Sequence, residues 1–125
     1  MMKHSLEVYQ NNELIFYSDR HWLHPLMELE EFLQTNSFQV SELFIMDKII
    51  GRAAALILVY FGFKKVHGQN MSLLAKEVLD YYKISYTYDH LLSRNACQTE
   101  DLLRKEWDGE KAYRLVKSRI ESKRA

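Results

Sequence analysis

The segment Ala53-Ala54-Ala55-Leu56-Ile57-Leu58-Val59 constrains this chain more than any other. Opened by Gly51 and ended near Gly62, it reads as a helix over Arg52–Tyr60 with no polar face. A helix that is apolar all round has to be enclosed, by layers of its own chain or by another chain. Complete burial is hard to arrange in 125 residues, so part of this helix is expected at a subunit interface, and a homodimer follows. The apolar run from Ala53 to Phe63 is well short of the roughly 20 residues a membrane helix needs, so no membrane partner is expected.

The elements around this helix alternate. Leu6–Tyr9 and Leu14–Tyr17 flank the turn residues Gln10-Asn11-Asn12 and read as a hairpin. Pro25 stands at a first helical position, and Leu26, Leu29, Phe32 and Leu33 follow at helical spacing, which predicts a helix over 25–35. Val40 to Ile50 reads as extended, with Leu43-Phe44-Ile45-Met46 fitting a strand buried on both faces. Phe63–His67 and Ser85–Tyr88 are β-prone, and Ser72 caps a predicted helix through Tyr82. Two helices, about 97–107 and 109–122, close the chain. The order β-β-α-β-α-β-α-β-α-α predicts one α/β domain over residues 1–125, a three-layer α/β/α sandwich with a mixed central sheet.

Composition excludes several classes. With 47% apolar and 13% aromatic residues the chain can fill a core and is not disordered. Lys+Arg and Asp+Glu are both 17, so no basic field draws polymeric nucleic acid or anionic lipid. The charge is uneven, however. Residues 1–47 carry 2 basic and 8 acidic side chains, 48–97 carry 7 and 3, and 98–125 carry 8 and 6. That pattern fits either an acidic face beside a basic one or positive charge gathered at an anion site in the middle of the chain. The single cysteine, Cys97, excludes an internal disulfide and every multi-cysteine zinc framework. No secretory run opens the sequence, and a cytoplasmic protein is expected.

Chemistry concentrates at two predicted helix starts. Asp47-Lys48-Ile49-Ile50-Gly51-Arg52-Ala53-Ala54-Ala55 joins a strand end to small residues that let a ligand approach free backbone N–H groups, and Arg52 offers a planar fork for phosphate or carboxylate. Alternatively the small residues serve tight packing. In Ser93-Arg94-Asn95-Ala96-Cys97-Gln98-Thr99-Glu100, Asn95 or Cys97 can cap, with Glu100 reaching back. A thiol there, near Arg94, should have thiolate character, but no histidine stands close in sequence as a base, and a structural cysteine is the plainer reading. His21 and His24 precede a proline, while His67 and His90 are isolated. No metal site and no cofactor is expected from them.

The Asp47–Ala55 stretch resembles the D-x-h-h-G-[KR]-A-A-A signature (h aliphatic) of a prokaryotic family of unknown function, the DUF1893 family, placed in the cytidine-deaminase-like superfamily. The hairpin, the Ser72–Tyr82 helix and Arg94–Glu100 follow the same pattern, whereas Gln98 stands where the family usually has proline. The resemblance implies a cytidine-deaminase-like fold. Zinc deaminases open one helix with H-x-E and a second with P-C-x-x-C. Compared with them, this sequence has Gly51-Arg52-Ala53-Ala54 at the first position and only Cys97 at the second, with Glu100 in place of the second cysteine. The zinc chemistry is therefore expected to be absent, and zinc-dependent deamination with it.

These readings predict a pocket between two helix N-termini, lined by Asp47, Gly51, Arg52, Ala53, Arg94, Asn95, Cys97 and Glu100 and suited to a small anionic or nucleotide-like ligand. Two alternatives stand beside it. One is a metal-independent enzyme with Cys97 as nucleophile, Asp47 or Glu100 as acid/base and Arg52 on an oxyanion. The other is a homo-oligomeric interaction protein.

Overall fold

The computed structural model of the chain describes residues 2–93 and 98–124. A hairpin, β1 (Leu6–Gln10) and β2 (Glu13–Ser18), opens the fold. Asn11 and Asn12 both adopt positive φ, 51° and 69°, which a tight two-residue hairpin turn demands and asparagine tolerates. Helix α1 (His24–Thr35) follows, with Pro25 in its first turn. Then come β3 (Phe44–Ile50), α2 (Arg52–Phe61), β4 (Lys65–Ser72), α3 (Leu73–Tyr81), β5 (Ser85–Leu92), α4 (Gln98–Leu102) and α5 (Gly109–Arg124). Every predicted element is present among the described residues. The largest boundary shifts are these. Val40–Glu42 is a 3-10 turn outside the strand, β4 and β5 run on to Ser72 and Leu92, and the helix expected over 97–107 contracts to α4.

The five strands form one mixed sheet in the order β2-β1-β3-β4-β5. Strand β1 is antiparallel to both neighbours, while β3, β4 and β5 run parallel. The register Val8↔Ile45↔Val66 puts three fully buried side chains in one row, on the face that the helices cover. On the opposite face Tyr9, Phe44, Met46 and His67 are only partly buried. The hydrogen bonds there stay within the sheet, from Tyr9 to Glu7 and from His67 to Thr87 and Asp89. The run Leu43–Met46 is thus not buried on both faces: Leu43 and Ile45 are enclosed, but Phe44 and Met46 meet solvent.

Helix α2 lies within the chain, between the sheet and α5. Its residues Ala53 to Leu58 are 0–3% exposed. Ala112, Val116 and Ile120 of α5 are buried with them, and Tyr113 packs its ring 5.2 Å from that of Tyr60. Gly109 permits this approach, since a β-carbon there would lie 2.6 Å from the Leu56 carbonyl oxygen. The α/β fold with one mixed sheet is as predicted, but the order of layers differs from an α/β/α sandwich. Helices α1–α3 lie on the sheet and α5 lies on α2, so among the described residues the sheet is an outer layer and not the central one. The enclosure that the apolar helix demands comes from α5, so α2 needs no second subunit to cover it. Gly62, at φ 99°, ends α2 in the left-handed conformation that a helix C-terminus favours. Among the described residues no helix is long and apolar enough to cross a membrane.

Candidate functional site

The α2 N-terminus is built from the Asp47–Ala55 stretch. Gly51 is extended at the N-cap and supplies no side-chain cap, which leaves the first-turn N–H groups to find acceptors elsewhere. One acceptor arrives from far along the chain. The Arg52 backbone N–H donates to Glu100 Oε2 at 2.5 Å, and the Ser72 hydroxyl donates to the same oxygen at 3.1 Å. Ser72 Oγ in turn accepts from Ala75 N at 3.0 Å and so caps α3. Glu100 is 1% exposed, and its carboxylate stands at the positive end of α2 as a tertiary cap. The position where a free anion was expected is held by the protein's own acid.

The Arg52 side chain is entirely buried and runs toward α3 and the segment ahead of α5. Its Nε and Nη2 donate to the Glu106 carbonyl at 3.0 and 2.6 Å, and its Nη1 donates to the Leu74 carbonyl and to Glu77 Oε1, both at 3.0 Å. The Trp107 ring lies over the guanidinium at 4.5 Å. This fork is committed to protein partners and ties α2, α3 and the α4–α5 connection together.

Beside the α2 start lies a cavity of about 290 Å³. Asp47, Gly51, Arg52, Ala53 and Glu100 all line it, so five of the predicted site residues come together. The other three, Arg94, Asn95 and Cys97, lie outside the described residues. Burial pushes the Asp47 carboxyl up to about 7, although backbone N–H groups of Ile49 and Lys48 pull the other way. The Ile49 bond is long, 3.4 Å.

The remaining wall comes from the loop between β2 and α1, where Arg20, His21 and Trp22 line the cavity. Metal-ligand spacing, the property by which the sequence recommends or dismisses these histidines, does not reveal this role. The signal lies instead in three chemically rich side chains placed between a strand and a proline-marked helix start. Trp22 adopts φ 60°, a left-handed conformation that costs a bulky L-residue about 1–2 kcal/mol. Ser18 fixes the loop, its hydroxyl accepting from Arg20 N at 3.2 Å and donating to Glu28 on α1. Among the described residues no three His, Cys, Asp or Glu side chains are grouped to hold a metal ion.

Residues 2–120 match the family model described as Domain of unknown function (DUF1893). The chain belongs to the DUF1893 family. Its fold is similar to the crystal structure of a DUF1893 family protein from Thermotoga maritima, with a TM-score of 0.79 and 27% identity over 92% of this chain and 80% of that one. No curated protein matches. In this DUF1893 chain the Asp47–Ala55 stretch forms the end of β3 and the first turn of α2, and most of its residues line the cavity.

Proposed function

We propose that the cavity at the β3–α2 junction binds a small nucleotide-like molecule, in a deaminase-like fold whose zinc chemistry has been lost. The observation that carries this reading is the Asp47 carboxyl in the cavity wall, which titrates near neutrality and so can donate or accept a hydrogen bond. The donor and acceptor edge of a nucleobase matches such a group. A bare anion is served less well, because Glu100 already accepts from Arg52 N and the Arg52 fork is engaged with Leu74, Glu77 and Glu106. Arg20 and Lys48 in the wall supply charge for a ligand's phosphate.

Thermal melts against a panel of nucleosides, nucleoside monophosphates, phosphate and sulfate test the reading. Nucleosides or their monophosphates raise Tm in the wild type, Asp47→Ala removes the gain, and the inorganic anions give none. A flat response to every nucleoside and nucleotide overturns it.

The same carboxyl favours one alternative, a metal-independent enzyme in which Asp47 moves a proton at neutral pH. Glu100 does not suit that role, since two donors hold its oxygen at the helix start. Chromatographic assay of nucleosides incubated with wild type and Asp47→Asn decides it. Turnover confined to the wild type supports catalysis, and intact substrate in both leaves binding alone.

A further inference from the structure

We propose that Trp22 is the platform on which the aromatic ring of the ligand stacks, its indole held at the cavity wall by the β2–α1 loop. This rests on the nucleotide-like reading above and names the residue that would confer it.

The first argument is the backbone. Among the described non-glycine residues, positive φ occurs at Asn11, Asn12, Trp22 and Lys83. The two asparagines make a hairpin turn, and Lys83 follows the end of α3, where a left-handed residue closes a helix. Trp22 stands in the turn that leads into α1, where a glycine or asparagine would take this φ without strain and tryptophan is among the side chains least suited to it. Strain of this kind persists where the surroundings over-determine it, and it gathers at ligand sites.

The surroundings do over-determine it. Ser18 Oγ holds Arg20 N on one side and bonds Glu28 of α1 on the other. On the far side Leu26 N donates to Leu23 O at 3.2 Å as α1 begins. Between these anchors Trp22 is carried to the cavity wall with 36% of its surface exposed, and its ring stands at 73° to that of His24 with 5.5 Å between centroids.

The second argument is the contrast with the other tryptophan. Trp107 covers the Arg52 guanidinium and packs 4.9 Å from Tyr81, a place inside the tie between α2, α3 and α5. Trp22 instead borders a cavity whose wall also holds the Asp47 carboxyl. A flat face and a donor–acceptor group along one cavity are the two elements that fix a planar nitrogen heterocycle, the first by stacking and the second by reading its edge.

Isothermal titration of adenosine, cytidine, guanosine, uridine and their monophosphates into wild type, Trp22→Phe, Trp22→Leu and Trp22→Ala tests the proposal. Phenylalanine keeps a π-face and holds affinity within a few-fold. Leucine keeps apolar cover without a π-face and, like alanine, weakens binding roughly ten- to a hundredfold. Melting curves of the unliganded variants show that each is folded. Equal affinity in Trp22→Leu and Trp22→Phe overturns the platform while the nucleotide-like reading stands. Absence of binding by all four nucleosides and by their monophosphates to the wild type overturns both.

Discussion

Arg52 separates two regions that begin at the same residue and obey opposite rules. Outward, its guanidinium meets carbonyls, a carboxylate and an indole, and the polar groups of the fork are engaged. On the cavity side lies the Asp47 carboxyl. Among the described residues no ion pair reaches it, and burial outweighs its backbone hydrogen bonds. Trp22, in the wall of the same cavity, stands in a conformation that its side chain disfavours. A buried polar group whose donors are matched holds layers together. A carboxyl whose burial outweighs the hydrogen bonds that favour its ionised form, in one cavity with a strained aromatic, marks a place kept for something else.

The largest test of this contrast is Arg52→Ala. It leaves the Leu74 and Glu106 carbonyls and the space under Trp107 without their partner, and should destabilise the fold by about 3–5 kcal/mol in a denaturant titration. Arg52→Lys should recover little, because one ammonium cannot span Leu74, Glu77 and Glu106. A loss below about 1 kcal/mol for the alanine variant would contradict the structural role.

Asp47→Asn should act in the opposite direction, and its effect depends on pH. The native carboxyl keeps its proton up to about 7, against an ordinary value of 3.8. The unfolded state therefore ionises first, and the wild type loses stability as pH rises through that window, with the full cost present above pH 7. At 1.36 kcal/mol per pKa unit that cost is at most about 4 kcal/mol. Melts from pH 4 to 9 should show the wild type falling away from the Asp47→Asn variant, with the widest gap above pH 7. Parallel curves would mean that the carboxyl is not strained by burial.

How far these regions could be read in advance differs, and for physical reasons. Local rules exposed the hairpin through Asn11-Asn12, α2 through its apolar run and α3 through its Ser72 cap, because each feature is set by neighbours in sequence. The stretch Asp47–Ala55 likewise marked the cavity. The direction of the Arg52 side chain was not legible, since its acceptors are mostly backbone carbonyls that come together only on folding. Nor was the Glu100 cap on α2, which reaches across 48 residues. The choice between an anion fork and an internal tie depends on these distant partners, and composition carries no trace of it. That α5 covers α2 from within the chain was hidden for a similar reason. Gly109 gives no hint in sequence that α5 can come so close.

Gly109→Ala tests that closeness. The added methyl meets the Leu56 carbonyl oxygen and the Tyr60 backbone, neither of which can swing aside, so α5 must shift from α2. A loss of about 1–3 kcal/mol is expected, partly offset by alanine's better helix propensity. Arg52 binds the Glu106 carbonyl just ahead of this contact. The double variant with Arg52→Ala should therefore lose less than the two single losses together. Strict additivity in denaturant titrations would separate the α5 contact from the Arg52 tie.

The smallest effect compares strain with strain. Lys83 and Trp22 adopt nearly the same φ, 58° and 60°, but Lys83 closes α3 through its bond to the Asp80 carbonyl at 3.1 Å. Lys83→Gly relieves the left-handed penalty at an ordinary helix end and should raise stability by about 0.5–1 kcal/mol, leaving nucleoside affinity untouched. Trp22→Gly relieves a similar penalty but removes an indole that is about two-thirds buried, so its stability should fall by about 1–3 kcal/mol and its nucleoside affinity should fall with it. Melting curves and titration calorimetry on the two variants read both quantities. If Lys83→Gly changes affinity as much as Trp22→Gly does, positive φ carries no information about the cavity, and Trp22 is merely another turn residue.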